Sequence, residues 1–330
     1  MRQLGIDWGV VGVHIFFALS GYLITLMLQK KYVTEQIGLG KAYFAFWVSR
    51  VFRIVPLVIA ALVFLSLFEF DGKDFDFYLY NSLFLGNIYR SIYGQYLPYT
   101  GHFWTLGIEI QFYLIYPFVF WSLSEKWRPI AFLFFAFAAL TIHSFLYLIP
   151  SIQSPGFMLT GRVHIFLLGA LLACLPDDAT RRNTALVMCV AGALPILVKS
   201  VGVKVIWPRQ IDDLFYAGIV GLVAYIPIAR YVLTRPLLVS LGVLSYGLYV
   251  WHLVVTVLTP YIMATYDAVG IPDFPYRRQL ALLVITLLFA SLSWKYLEEP
   301  LIRLGHSLAG RILQSKGPAN RGTAMLKKVR

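Results

Sequence analysis

Three features of the chain predict an all-α, polytopic transmembrane bundle of about nine spans. Hydrophobic residues make up 59% of its 330 residues, charged residues only 13%, and apolar runs near twenty residues recur along the whole length. A soluble protein keeps roughly a quarter of its residues charged. Half that share leaves too little polar surface to face water. The aromatic content of 25 Phe, 21 Tyr and 8 Trp suits membrane–water interfaces as well as packed cores.

Runs able to cross a hydrocarbon layer fall at 9–28, 54–70, 104–123, 129–149, 161–175, 184–198, 213–229, 240–262 and 280–297. The first lacks a basic leader and a small-residue cleavage site, so it reads as a spanning helix rather than a signal peptide. Its Gly9, Gly12 and Gly21 permit close helix contact, and His14, Phe17 and Gly21 share a stripe. The connection at 71–101 contains DGKDFDFYLYNSLFLGNIY, which reads as interfacial or partly inserted helix. The runs at 161–175 and 184–198 are short, and Gly169, Gly192 and Pro195 admit close packing or irregular helix there. WKYLEEPLIR (294–303) is where the last helix is expected to stop, with Glu298 and Glu299 capping chain ends or pairing with arginines. One membrane domain over 1–303 and a basic cytoplasmic tail over 304–330 follow. No internal repeat shows at any fixed period.

The net charge is +12, from 28 Lys or Arg against 16 Asp or Glu. Topology accounts for it. One set of alternating connections carries eighteen of the basic residues and the opposite set nine, so the first set and the C-terminus are expected in the cytoplasm and Met1 outside. No nucleic-acid role is assigned. The loop at 199–212 runs against the trend, with three basic residues on the external side. Cys174 and Cys189 lie in apolar segments and suggest neither a disulfide nor a metal framework. No metal cluster or nicotinamide-binding fingerprint appears, and no permanently bound cofactor is expected.

Polar residues inside the apolar runs need partners or a task, because exposure to lipid costs several kcal/mol, as an order of magnitude. In GHFWTLGIEIQFYLIYP (101–117), continuous helix puts His102, Glu109, Tyr113 and Tyr116 on one face. Glu109 then lies roughly 10 Å along the axis from His102. Structural readings stand beside functional ones: a solvated His102, and a Glu109 bonded to an arginine or tyrosine of a neighbouring helix. FWVSRVFRIVPL (46–57) sets Arg50 and Arg53 one turn apart at the cytoplasmic end of the second span. They suit either a positive-inside anchor or a polyphosphate. LSYGLYVWHLVV (244–255) aligns Ser245, Tyr249 and His252 on one helix face, where the histidine is a proton relay or a satisfied hydrogen-bonding group. Arg162 opens the fifth span, next to His164, as a counter-charge for Glu109 or a contact for an anionic substrate group. For His14 a packing or hydrogen-bonding role is favoured. Ionisable groups on both faces suit passing a solute or an activated group across, so enzyme and transporter remain level on physical grounds.

Six runs in order resemble the integral-membrane acyltransferase 3 family, which includes bacterial O-acetyltransferases of cell-surface sugars: GVHIFFALSGYLIT (12–25), FWVSRVFRIVPL (46–57), GHFWTLGIEIQFYLIYPF (101–118), GRVHIFLLGALLA (161–173), LSYGLYVWHL (244–253) and YLEEP (296–300). The resemblance covers nearly the whole chain. It implies a bundle of about ten spans in the complete family, in a bacterial plasma membrane, that moves an acyl group, usually acetyl from acetyl-CoA, to an external carbohydrate or lipid-linked sugar. It also implies a donor-binding role for Arg50 and Arg53. Catalytic or acceptor-binding roles are implied for His102, Glu109, Arg162, Tyr249 and His252. The chain departs from the pattern at its start. Relatives begin with a helix carrying a basic residue and, about ten positions on, a histidine taken as central to catalysis, and this chain opens at their second helix. A start lying upstream is the expectation, with a short paralogue of impaired catalysis as the other reading. His14 stands where relatives often carry an acidic residue and is not promoted to the missing catalytic group. A transporter or flippase for a glycolipid or anionic solute, or an inactive scaffold, is the alternative function.

Overall fold

The computed structural model describes residues 8–30, 32, 38–68, 75–95, 98–200, 211–223, 225–270, 272 and 275–315. Arg2, Lys31, Lys73, Lys204 and Arg209, which entered the charge count, lie outside the described residues, as does the expected tail beyond Ser315. Every regular element among the described residues is helical. In chain order these are α1 (Trp8–Lys30), α2 (Leu39–Ser66), α3 (Phe75–Ser82), α4 (Gly86–Tyr93), α5 (Trp104–Ser122), α6 (Arg128–Leu146), α7 (Val163–Cys174), α8 (Asp178–Ser200), α9 (Asp212–Val223), α10 (Pro227–Leu233), α11 (Pro236–Val254), α12 (Thr259–Ala268), α13 (Arg277–Ser293) and α14 (Glu299–Gln314). A five-residue π-helical turn, Trp294–Glu298, joins the last two.

Six of the described helical stretches are long and apolar enough to span a bilayer, or seven if α9 and α10 count as one bent span. The expectation of nine is corrected to that extent. All nine regions are helical, but three miss the criterion for different reasons. α5 has 19 residues yet carries Glu109 and Gln111, α7 has only 12, and α9 breaks from α10 near Pro227. The outer surface is itself apolar. α6 turns Phe134, Phe137 and Phe145 outward at 63%, 72% and 63% exposure, as expected of a helix against lipid. The chain is a multi-pass membrane protein.

Glycine sets the closest crossings. A Cβ at Gly21 of α1 would overlap the Phe166 carbonyl oxygen, and one at Gly169 of α7 would overlap that of Ala18, so the two helices touch backbone to backbone. Phe17 and Phe112 both stack on Phe166, at 4.6 and 4.3 Å between ring centroids. Thr25 ties α1 to α5 through a 2.5 Å bond with the Tyr116 hydroxyl. Gly192 meets Phe215 between α8 and α9 in the same way. Gly12, expected to share in this packing, faces open space.

Two further expectations change. The final helix does not stop within 294–303; it turns through the π-helical segment and runs on as α14, where Gly305 lies against Phe52 of α2. Glu299 pairs with Arg303 at 2.5 Å, but Glu298 points inward and is 3% exposed. In the 71–101 connection, α3 and α4 are the short helices anticipated there.

Candidate active site

At one end of the bundle, five pieces of chain surround a cavity of about 660 Å³. They are the first turns of α1, the 98–103 turn leading into α5, the 3-10 turn around Phe157, Arg162 ahead of α7, and the end of α11. The volume falls within the few-hundred to ~1,000 Å³ range of small-molecule sites. Its chemistry comes from His14, His102, Trp104, Arg162, Tyr249 and His252.

His102 belongs to a turn, because α5 begins only at Trp104; the expectation that it continues the helical face of Glu109 is corrected. Its Nε2 lies 3.1 Å from the Val250 carbonyl oxygen. A carbonyl only accepts, so Nε2 carries the proton and Nδ1 keeps a lone pair. That Nδ1 is buried without a partner. Burial, aided by the neighbouring His252, holds the imidazole down at about 3, so it is neutral and weakly basic near neutral pH. The Tyr249 hydroxyl donates to the His102 carbonyl at 2.6 Å and also bonds the Thr105 hydroxyl, which stitches the turn to α11. His252 sits 4.6 Å from His102 between ring centroids and bonds the Tyr249 carbonyl through Nδ1 at 2.7 Å. Ser245, expected on this face, is exposed and bonds only back to Gly242.

Arg162 does not pair with Glu109. Its Nε donates to the Gly156 carbonyl at 3.0 Å, its guanidinium lies over Trp104, and one terminal nitrogen lies 3.0 Å from His14 Nε2. His14 in turn is in ion-pair contact with Asp213, Nδ1 to Oδ1, at 2.6 Å, although without the alignment of a hydrogen bond. The other carboxylate oxygen accepts from His164 Nε2 at 2.7 Å. All three side chains are buried, Asp213 at 2% exposure. Asp213 escaped the sequence reading. The one available signal was an acid opening an apolar run, and its partners come from two other helices.

A layer of charge lies one helical turn beneath the cavity. Glu109, four residues after Thr105, accepts from the Tyr113 hydroxyl and is within electrostatic reach of Arg53 and Arg50. Tyr246, three residues before Tyr249, donates to the Ile54 carbonyl at 2.6 Å. Glu298 accepts from Ser293 at 2.8 Å and also feels Arg53. The π-helical turn aims Glu298 into this layer, and such turns recur at functional positions. Arg50 stacks near Phe46 and Tyr113 and donates to the Met27 sulfur at 3.1 Å. The arginine pair lies near the middle of its helix rather than at its end. α2 starts at Leu39, which puts Arg53 roughly 21 Å along it and near its middle. Glu109 is likewise interior and does not line the cavity.

The opposite end holds a smaller cavity of about 260 Å³ between Gln29, Arg128, Cys174 and Arg181. Its guanidiniums donate to the Phe120, Leu172 and Leu175 carbonyls that close the helices there. No cluster of three or more His, Cys, Asp or Glu fit for a metal occurs among the described residues.

An apolar helical bundle with a polar, histidine-bearing cavity at one end and a buried charge layer below it defines a multi-pass membrane protein with an interior polar site. The chain belongs to the acyltransferase 3 family, whose model, described as an acyltransferase domain, matches residues 2–296. O-acetyltransferase OatA of Staphylococcus aureus (strain NCTC 8325 / PS 47) is 26% identical over 96% of this chain and 57% of its own length. A protein of S. aureus (strain COL) provisionally named an O-acetyltransferase is 28% identical over 90% of this chain and 53% of its own. The chain thus spans about half the length of the curated relatives it matches. No solved structure matches it significantly.

Proposed function

We propose that the chain is the membrane part of an O-acyltransferase that moves an acyl group, acetyl from acetyl-CoA, onto a hydroxyl of a cell-surface carbohydrate or lipid-linked sugar. Family membership and the names of the relatives support the reaction class. The observation that carries the reading is the vertical order: the cavity of histidine, tyrosine and arginine stands directly above the layer containing Arg50 and Arg53. A donor coming from the C-terminal, cytoplasmic face of a bacterial plasma membrane meets the arginines first, and its phosphates suit two guanidiniums. Its thioester then reaches the cavity, which takes the acceptor hydroxyl from outside.

Within the cavity a histidine accepts the hydroxyl proton. Arg162 binds the acceptor or the negative charge that develops on the carbonyl oxygen, and the Tyr249 hydroxyl, whose proton is on the His102 carbonyl, accepts a hydrogen bond from the acceptor. His102 and His252 shape the wall facing them. Glu109 balances the arginine layer from below without touching the acceptor. Purified protein carrying any residues its gene encodes upstream of Met1, in proteoliposomes with acetyl-CoA labelled in the acetyl group and candidate sugars, is expected to release CoA and label a sugar. Label that stays on CoA with every acceptor refutes the reading.

A further inference from the structure

We infer that the acceptor carries an acidic group, a carboxylate or a phosphate on its sugar, and that Arg162 anchors this group, held forward into the cavity by His14. The inference rests on the acyl-transfer reading above and names the class of acceptor.

Arg162 is the one permanent charge among the described residues that line the cavity, and no carboxylate lines it. An unpaired buried cation is costly, so the guanidinium calls for a counter-charge. Asp213 lies within electrostatic reach but makes no ion-pair contact with it. The carboxylate faces His164 at 2.7 Å and His14 at 2.6 Å instead. His14 stands between cation and anion. A guanidinium only donates, so His14 Nε2 accepts from Arg162 at 3.0 Å. The imidazole is a spacer that occupies one terminal nitrogen and keeps the guanidinium from collapsing onto Asp213. Nε is spent on the Gly156 carbonyl, and Trp104 lies against one face. The second terminal nitrogen has no protein partner among the described residues and is not sealed in the interior. It is open to a ligand.

The place of Arg162 in the cavity says which part of a ligand it meets. The polar side chains form two groups. His102, Tyr249 and His252 lie 4.6–5.7 Å apart between ring centroids, and Arg162, His14 and Trp104 make up the other. The layer with Arg50 and Arg53 lies beneath the first group. Glu109 is one turn beyond Thr105, which bonds Tyr249, and Tyr246 is one turn before Tyr249. A donor rising from that layer brings its thioester to the first group. Arg162 therefore faces the body of the acceptor away from the reacting carbonyl. A neutral sugar would displace water there and leave the cation uncompensated, whereas an acidic substituent neutralises it through a charge-assisted bond.

Binding is read without acetyl-CoA, by equilibrium dialysis of labelled sugars against detergent-purified protein carrying any residues its gene encodes upstream of Met1. The sugars are methyl glucuronide, which has a carboxylate, glucosyl phosphate, and the neutral methyl glucoside. At least one acidic sugar is expected to bind about tenfold or more tightly than the neutral one, as a charge-assisted contact provides. Which of the two does so distinguishes carboxylate from phosphate. Arg162→Gln should remove the preference and Arg162→Lys should keep part of it. His14→Ala should cut the preference more than His14→Gln, whose amide oxygen still accepts from the guanidinium. Size-exclusion chromatography measures folded protein in each variant, and a structural role alone would not separate the two His14 variants at equal folded protein. Equal binding of all three sugars, a preference that survives in Arg162→Gln, or equal losses in the two His14 variants overturns the inference and leaves acyl transfer standing. Acid-selective binding by a protein that transfers no acetyl group removes the transfer reading and leaves the anion site.

Discussion

At the scale of single residues, the site is an exercise in where protons sit. His102 is neutral because burial forbids its charge, with its acid–base midpoint held at about 3 against an ordinary value near 6.5. The unfolded chain binds a proton there between those two pH values and the folded chain does not. Stability must therefore fall as pH drops below about 6.5, by up to about 1.4 kcal/mol per pH unit for this one group. Thermal unfolding in detergent from pH 7 to pH 4 checks this: the slope in wild type should lessen in His102→Asn, and identical slopes refute it. Arg50 and Arg53 sit in the adjacent layer without a carboxylate in ion-pair contact among the described residues, which leaves their charge available. Arg53→Ala is expected to raise the KM for acetyl-CoA by about tenfold or more, as loss of a charge-assisted contact does. An unchanged KM and kcat in both Arg50→Ala and Arg53→Ala would remove their donor role. These arginines were legible as a pair; their depth was not, because amphipathic sequence from Leu39 extends the helix well ahead of the apolar run.

At the scale of elements, backbone contact between α1 and α7 sets where His14 and Arg162 meet. Gly21 and Gly169 both lie in that contact, so Gly21→Ala forces the helices apart. Overpacking of this kind costs about 1–3 kcal/mol, and Gly21→Ala should lower the melting temperature and the transfer rate together. Gly12→Ala meets open space and replaces a poor helix former, so it should be neutral or stabilising by up to ~1 kcal/mol. Equal melting temperatures for the two variants would refute the close crossing. Hydropathy made the helices legible, since lipid demands long apolar stretches with every backbone group satisfied internally. It did not separate Gly12 from Gly21. Both lie in one apolar run, and only the neighbour's position distinguishes them. The π-helical turn was equally hidden: WKYLEEP reads as an ending, whereas the extra residue in the turn redirects the chain and tucks Glu298 under Gly247.

At the scale of the molecule, polarity is stacked along the bundle axis. The open cavity lies at one end, the arginine and glutamate layer near the middle, and helix-closing arginines at the other end. Aromatic and charged runs in the sequence foretold most members of the first two layers. Asp213 stayed out of reach because its meaning depends on His14 and His164, which are distant in the chain and adjacent only after α1, α7 and α9 pack. Under the proposed acyl transfer, the stacking predicts a directional reaction. Sealed proteoliposomes with the C-terminus facing out, supplied externally with acetyl-labelled acetyl-CoA and loaded inside with acceptor sugar, measure this most directly. Labelled sugar in the lumen, with Arg53→Ala needing about tenfold more acetyl-CoA for the same rate, is the predicted result. Transfer that requires acetyl-CoA and acceptor on the same side, or that proceeds unchanged without Arg53, would contradict it.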